Sequence, residues 1–371
     1  MIYLDAAATT FEKPACVAEK MLWALRNCAS VGRGGYGPAM QAAEEVFRCR
    51  ALAGELFDCK PEQVVFTMNA THALNLAIKT LVKPGDRVVI SGFEHNAVLR
   101  PLHALGAKTI VAGKRLFDPE DTLRAFQKAV TADTRAVVCT HVSNVFGYIL
   151  PVEKIAALCK SRGVPFVLDA SQSAGALPVR LRALGAAFIA MPGHKGLYGP
   201  PGTGLLLCGE LPAPLLEGGT GSLSKSPDMP AFLPDRAEAG THNVCGVCAL
   251  AAGLEFLQAR GIGSVLAHEL RLKSLAAGHL SGIPGVHVFT SAAHQSGVLS
   301  FTADGQDCEK LAQRLAGQDI CVRAGQHCAP LAHKSAGTEL GGTVRASFSV
   351  FNTPAQVEAF SAAVKKCITD A

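Results

Sequence analysis

The chain has 371 residues, of which 49% are hydrophobic and 18% are charged. This composition excludes a low-complexity disordered protein, because it contains enough apolar side chains to build a large buried core. No run of about 18 uninterrupted apolar residues occurs, so we expect no membrane-spanning helix and no membrane partner. The net charge of +5 is spread thinly over 35 basic and 30 acidic residues, which argues against nucleic-acid binding.

The sequence contains thirteen cysteines, and its first ten residues, MIYLDAAATT, lack both a basic lead and an apolar signal core. We therefore expect a cytoplasmic protein, in which a reducing environment keeps most of the cysteines as small core residues. At about 150 residues per domain, the length indicates more than one domain. We expect two.

From residue 64 onward, short apolar runs that predict buried strands alternate with segments of helical period. This alternation predicts a mostly parallel sheet covered by helices on both faces. The predicted strands are 64–68, 87–91, 135–140, 165–170, 187–191, 204–208, 296–302, 319–323 and 343–350. The predicted helices are 71–81, 152–162, 244–260 and 353–367, the last with Thr353 as N-cap and Pro354 in its first turn. Residues 209–243 are rich in proline and glycine and predict a long ordered loop.

Residues 199–204 (GPPGTG) begin like the phosphate-binding loop of a nucleotide hydrolase. That motif requires a lysine and then a serine or threonine, which contact the phosphates and Mg²⁺. Leu205 and Leu206 stand there instead. The segment therefore predicts a glycine- and proline-rich turn that leads into the strand at 204–208.

Polar residues follow two of the predicted strands. Asp169 ends one strand, and Lys195 comes shortly after another. Because ligands of open α/β sheets bind at the carboxyl ends of the strands, both side chains are expected in one crevice. An amine and a carboxylate there suit pyridoxal phosphate (PLP), since the amine bonds to the aldehyde and the carboxylate pairs with the ring nitrogen. A simple ion pair remains an alternative at this point.

Nine motifs in order along the chain resemble the class V aminotransferase-like cysteine desulfurases and selenocysteine lyases. They are YLDAAATT (3–10), NATHALN (69–75), EHN (94–96), HVSNVFG (141–147), DASQ (169–172), GHK (193–195), EAGTHN (238–243), RAGQHCA (323–329) and RAS (345–347). The resemblance implies a PLP-dependent transferase of fold type I, with a mostly parallel central sheet flanked by helices and a smaller second α/β domain. Residues 15–255 would form the large PLP-binding domain. Residues 1–14 and 256–371 would form the small domain with the catalytic cysteine loop.

The resemblance also implies which residues contact the cofactor ring. Lys195 would bind the cofactor covalently, Asp169 would face the ring nitrogen, and Gln172 would face the phenolic oxygen. His95 would stack on the ring and transfer protons, and Asn144 would lie near the ring edge and the substrate. A structural role for His95, and a capping role for Asp169, are the alternatives.

Four residues are implied as phosphate contacts. Thr71 and His72 stand at the beginning of a predicted helix, where backbone N–H groups and the helix dipole favour an anion. Thr71 acting only as a helix N-cap is the alternative. His194 would add a contact, and Thr241 resembles a position that reaches the partner subunit's phosphate, which implies a homodimer.

Cys328 resembles the nucleophile that attacks the sulfur or selenium of the bound substrate. A nucleophilic cysteine must be a thiolate, and Arg323 and His327 are candidates for the positive potential that stabilises it. Arg345, assisted by Arg323, would bind the substrate carboxylate through its planar guanidinium. The implied catalytic residues are thus Lys195, Cys328 and His95.

Two residues depart from the pattern of this family. Gln326 stands where many relatives carry a histidine, and Pro192 stands where a phosphate-binding serine is common. The CxxC pair Cys245 and Cys248 has no second pair for zinc, so core packing is expected for it, as for Cys321, and no metal site is expected.

The leading functional hypothesis is a cysteine desulfurase that converts L-cysteine to L-alanine and leaves a persulfide on Cys328. The alternatives are a selenocysteine lyase acting on L-selenocysteine, a PLP-dependent aminotransferase or β-lyase, and a cofactor-binding sulfur carrier without turnover of its own. The fold alone does not decide among them. An acceptor protein for the sulfur or selenium is a further possible partner.

Overall fold

The computed structural model describes residues 1–32 and 34–369, which form thirteen strands and twelve α-helices. The strands are β1 (Ile2–Tyr3), β2 (Val64–Thr67), β3 (Arg87–Ser91), β4 (Lys108–Ala112), β5 (Thr134–Thr140), β6 (Phe166–Asp169), β7 (Phe188–Pro192), β8 (Gly204–Cys208), β9 (Val286–Phe289), β10 (Val298–Ala303), β11 (Ile320–Cys321), β12 (Arg323–Gly325) and β13 (Thr343–Ser347). The helices are α1 (Ala15–Asn27), α2 (Gly37–Leu56), α3 (Ala70–Leu81), α4 (Asn96–Ala104), α5 (Pro119–Ala129), α6 (Val152–Ser161), α7 (Leu181–Leu184), α8 (Val244–Arg260), α9 (Ile262–Ser281), α10 (Cys308–Ala316), α11 (Pro330–Ala336) and α12 (Pro354–Thr369).

A seven-stranded sheet with the order β2-β8-β7-β6-β5-β3-β4 forms the centre of the fold. Its strands run parallel to one another except β8, which runs antiparallel to both of its neighbours. Alternate residues enter two different cores: Val88 packs with α3 and α4 on one face, and Val89 packs with α2, α5, α6 and α8 on the other. Burial on both faces explains the continuous apolar runs and confirms the predicted mostly parallel sheet.

A second, antiparallel sheet with the order β12-β13-β10-β9 packs against α9, α10 and α12. The N-terminal strand β1 pairs with β11 near this sheet, and Asp5 continues the contact as a bridge to Ser347. The first residues of the chain therefore lie among its last elements. The domain division after residues 14 and 255 stays a prediction.

The predicted strand 319–323 is wrong in one respect. Ile320 and Cys321 pair with β1, whereas Arg323 to Gly325 pair with β13 in the antiparallel sheet. The chain passes from one sheet to the other at Val322. The hydropathy pattern contains no information about which strand each half pairs with. The predicted elements did not include strands β1, β4 and β9 or helices α1, α2, α4, α5, α7, α9, α10 and α11.

The predicted loop at 209–243 contains only a 3₁₀ turn at Asp235–Ala237 and is held by a buried ion pair. The guanidinium of Arg50 on α2 binds the carboxylate of Glu238 through two hydrogen bonds. Glu238 also accepts from the Phe66 N–H at 2.6 Å and contacts His242 at 2.6 Å. Four contacts from three residues to one buried carboxylate thus order the end of the loop, which carries Thr241.

The CxxC pair lies on the first turns of α8, as predicted. Cys248 is fully buried with Ala24, Ala42 and Val244, and Cys245 packs partly buried against them. Among the residues that the structure describes, no single helix is long and apolar enough to span a membrane. The consecutive helices α8 and α9 meet that criterion only as a pair bent by 81°.

Candidate active site

The carboxyl ends of β3, β5, β6 and β7 border one cavity of about 250 Å³. Residues of the segment between β12 and α11 also line this cavity. This arrangement brings together residues from both ends of the chain, from Ala7 to Arg345. The predicted site residues that line it are Thr71, His95, Asn144, Asp169, Gln172, His194, Lys195, Arg323, Cys328 and Arg345. His72 and Thr241 line a second cavity, with residues of the 237–243 segment.

Lys195 lies on a tight turn after β7. The turn packs closely on Gly175, where φ is +90° and a Cβ atom would lie 2.0 Å from the Gly196 carbonyl oxygen, so only glycine fits. Burial lowers the pKa of Lys195 to about 8, and Asp169 acts in the opposite direction. A substantial fraction of the amine is therefore unprotonated and nucleophilic close to neutral pH.

Asp169, 2% exposed, ends β6 and accepts a hydrogen bond from the Ser171 N–H at 2.9 Å. A second carboxyl lies close by on Glu94, where Oε1 accepts from the Thr140 N–H and contacts the Ser91 hydroxyl. Burial raises the pKa of Glu94 to about 8, so this carboxyl is neutral at neutral pH. A neutral carboxyl thus lies near Asp169 outside the cavity lining, a feature that sequence reasoning missed.

His95 is the N-cap of α4, where its Nδ1 accepts from the Ala97 N–H at 3.0 Å. Burial lowers the pKa of the ring, and the neutral ring therefore carries its hydrogen on Nε2. Gln172 is fixed by a hydrogen bond from its Nε2 to the Ala7 carbonyl at 2.9 Å. His95 thus has a structural role, as the cap of α4, and also lines the cavity.

The beginning of α3 faces the cavity, but Thr71 is not its cap. Asn69 is the N-cap, and its side chain accepts from the His72 N–H at 3.0 Å. The interpretation of Thr71 as an N-cap is therefore wrong, because the helix begins at Ala70. Thr71 and Ala70 line the cavity within the first turn, where backbone N–H groups favour an anion.

His194 lines the cavity that contains Lys195, whereas His72 lines the second cavity. Burial lowers the pKa of His194 to about 4, so the ring is neutral, and its Nδ1 lies 3.1 Å from the Thr9 hydroxyl. The His72 Nδ1 atom accepts from the Met68 N–H at 3.3 Å. The phosphate roles of both residues and of Thr241 stay predictions.

Arg345 is 1% exposed and is already paired. Its guanidinium donates to the Asp5 carboxylate at 2.5 Å and to the Asn144 carbonyl at 2.9 Å. Its Nε atom and the Asn144 Oδ1 atom are buried and have no hydrogen-bond partner among the described residues. Asp5 was missed as a site residue, although it stands in the motif at 3–10. Arg323 faces Arg345 across β12 and β13 and is exposed.

Cys328 lies between β12 and α11 with its thiol exposed, as expected for a nucleophile. The expectation that His327 supplies positive potential is wrong, since burial lowers the pKa of that ring to about 2 and keeps it neutral. Gln326, the residue that departs from the family pattern, donates from Nε2 to the Glu339 carbonyl. Arg323 therefore remains the candidate for the positive potential that stabilises the Cys328 thiolate.

The fold and the site together define a PLP-dependent enzyme of fold type I. A family model for class-V aminotransferases matches residues 2–360, and the chain belongs to that family. It is 34% identical to a probable cysteine desulfurase of Methanothermobacter thermautotrophicus, over 96% of this chain and 92% of the relative. A probable cysteine desulfurase of Mycolicibacterium paratuberculosis is 31% identical over 99% of this chain but is longer, and the chain covers 55% of it.

Solved structures agree with these sequence relatives. The apo structure of a cysteine desulfurase from Thermococcus onnurineus superposes with a TM-score of 0.92 and 32% identity, covering all of this chain and 95% of the other. A cysteine desulfurase from Escherichia coli gives a TM-score of 0.87 and 28% identity over 99% of this chain and 94% of the other. The predicted family resemblance and fold class are confirmed.

The residues in the cavity fit the cofactor of this family. The Lys195 amine, whose pKa is lowered to about 8, matches the aldehyde, and Asp169 matches the ring nitrogen. The first turn of α3 presents N–H groups to a phosphate, and the Asn144 Oδ1 atom is a buried acceptor without a partner among the residues described. These features suit PLP, with its aldehyde, pyridine nitrogen and phosphate.

The lowered pKa of Lys195 predicts how apoprotein takes up PLP. Below about pH 8, the second-order rate constant of binding is expected to rise about tenfold per pH unit, and above it to level off, because only the free amine reacts. Visible absorbance over a pH series measures this rate. The reaction of PLP with Nα-acetyl-lysine controls for titration of PLP itself and should keep rising beyond pH 9. A protein profile that follows this model amine would contradict the assigned pKa.

Proposed function

We propose that the protein is a PLP-dependent cysteine desulfurase, which removes sulfur from L-cysteine to form L-alanine and a persulfide on Cys328. The single observation that carries this proposal is that the exposed Cys328 thiol and the Lys195 amine line the same cavity. The names of the relatives support it. The chemistry that follows rests on the residues described above.

PLP, when bound, supplies an electron-withdrawing ring that makes the bonds at the substrate Cα and Cβ labile. Lys195 would hold it covalently, and Asp169 would pair with its ring nitrogen. The Lys195 amine, whose pKa burial lowers to about 8, would move a proton at the substrate Cα. His95, through Nε2, is placed on the cavity wall to assist this transfer.

The sulfur transfer balances without an external oxidant or reductant. The Cys328 thiolate attacks the substrate sulfur, so an S–S bond forms while the substrate Cβ–S bond breaks. The electron pair of the broken bond stays on Cβ, which then takes a proton and becomes the methyl group of alanine. Arg323 and Arg345 are proposed to hold the substrate carboxylate during this step.

A homodimer and an acceptor for the persulfide are parts of the same proposal. Thr241 is exposed and lies in the second cavity, outside the one that holds Lys195, which fits a residue that serves the partner subunit's site. The exposure of Cys328 fits delivery of sulfur to a second thiol, on an acceptor protein or a small molecule. A reducing, cytoplasmic location follows from the need for a free Cys328 thiol.

The test is an assay of the purified protein with PLP and L-cysteine in the presence of a thiol reductant. Alanine and sulfide are expected in equal amounts, with no keto acid, while the visible spectrum of the cofactor persists. Keto acid and ammonia in place of alanine would identify a β-lyase or aminotransferase. A parallel assay with L-selenocysteine identifies a selenocysteine lyase if only that substrate reacts.

A further inference from the structure

The backbone around Cys328 is strained at two successive residues. His327 has a φ of +48° and Cys328 a φ of +57°, both in the left-handed region that side chains other than glycine disfavour. Such a conformation costs free energy and persists only where the surroundings hold it in place. The neighbouring contacts of both residues show what holds it.

The side chain of His327 is buried, whereas Cys328 is exposed. Its Nε2 lies 3.1 Å from the Thr343 carbonyl oxygen and 3.2 Å from the Thr343 hydroxyl. Because a carbonyl oxygen only accepts, Nε2 carries the ring hydrogen. The ring also stacks on His333, with centroids 5.7 Å apart and planes inclined by 25°. Thr343 begins β13, the strand that carries Arg345, so the ring joins the cysteine loop to that strand.

The backbone carbonyl groups of both strained residues accept hydrogen bonds. The Asn144 Nδ2 group donates to the His327 carbonyl at 2.8 Å, and the Asn96 N–H donates to the Cys328 carbonyl at 2.7 Å. Asn96 is the first residue of α4 and follows His95 directly. The loop is therefore fixed between β13 and the residues that border the cofactor cavity.

We propose that His327 is a positioning residue for Cys328, whose buried ring holds the left-handed backbone that directs the thiol into the cavity. This inference rests on the proposed function, in which Cys328 is the nucleophile. The ring itself does not exchange protons with the thiol, because it is buried, neutral and bonded to Thr343. Its contribution is geometric.

The test compares His327→Ala with His327→Gly. Both variants lack the ring, but only glycine adopts the left-handed conformation without strain. In His327→Ala, kcat for L-cysteine is expected to fall about 100-fold, the effect of misplacing a reacting group by about 1 Å. KM and the visible spectrum of the cofactor should stay as in the wild type. His327→Gly is expected to regain at least about tenfold of the lost kcat, because its backbone returns to the native conformation without the ring.

His294 provides a matched control, since it is an exposed histidine with a φ of +58° that lies outside the cavity. Its alanine and glycine variants undergo the same backbone change and should both keep wild-type kcat. A shared loss in both histidine-to-alanine variants would show a general effect of stability rather than of positioning, and would overturn the inference.

A second readout needs neither cofactor nor substrate. In the apoprotein, deuterium exchange of the Asn96 N–H is expected to accelerate in His327→Ala and to return toward the wild-type rate in His327→Gly, because its acceptor is the Cys328 carbonyl. Wild-type kcat in His327→Ala, equal losses in both variants, or unchanged Asn96 exchange would each overturn the inference. If Cys328→Ala retained desulfuration, the proposed function itself would fail, whereas unchanged Asn96 exchange beside an inactive Cys328→Ala would remove this inference alone.

Discussion

Replacing Lys195 by alanine is expected to remove the covalently bound chromophore and to lower desulfuration by at least about 10³-fold. The magnitude reflects the loss of two proposed functions at once, the attachment of the cofactor and the transfer of the substrate proton. Its lowered pKa of about 8 suits it to both functions near neutral pH. Borohydride reduction of the wild-type holoenzyme, followed by peptide mapping, measures the attachment directly and should label the peptide that contains residue 195.

Lys13 offers a matched control for this variant. Burial lowers its pKa to about 8 as well, and its ammonium donates to the Thr10 carbonyl at 2.8 Å, close to the turn that carries Lys195. Lys13 does not line the cavity, so Lys13→Ala should keep the visible band and the borohydride label at residue 195. A label on Lys13, or a normal chromophore in Lys195→Ala, would show that the cofactor is anchored elsewhere.

Replacing Cys328 by alanine is expected to keep the visible spectrum and to reduce alanine formation from L-cysteine by at least about 10²-fold. The proposed cofactor contacts do not include this thiol, whereas sulfur transfer requires a thiolate as acceptor. Mass spectrometry of the wild type after a single turnover without reductant should find the Cys328 peptide heavier by one sulfur atom. The variant should form no persulfide.

Cys16 is the matched control, because it is the other exposed cysteine among the thirteen and lies on α1, outside the cavity. Cys16→Ala should keep full activity. Full production of alanine and persulfide by Cys328→Ala would refute the proposed nucleophile. Activity of the same variant that is retained for L-selenocysteine but lost for L-cysteine would favour the lyase, because selenium leaves carbon more easily than sulfur does.

Local pattern predicted much of the large sheet. The strand 87–91, the strand 204–208 and the helix 244–260 were predicted with the bounds that the structure has. These elements lie in the interior, so their apolar runs are long and bounded by turn residues. The segment 319–323 failed because its two halves pair with different sheets, and pairing depends on strands far away in the chain.

The strand ends placed Lys195 and Asp169 in one crevice, because parallel strands present their carboxyl ends at one edge of a sheet. The family resemblance, not the strand pattern, added PLP and Cys328 to that site. The hydrogen-bond partners and protonation states of the side chains in that site depended on the tertiary structure. Arg345 pairs with Asp5, 340 positions away, and His327 is neutral because residues from β13 and α11 bury it. Burial and hydrogen bonding arise from neighbours in space, and no local pattern of residues contains them.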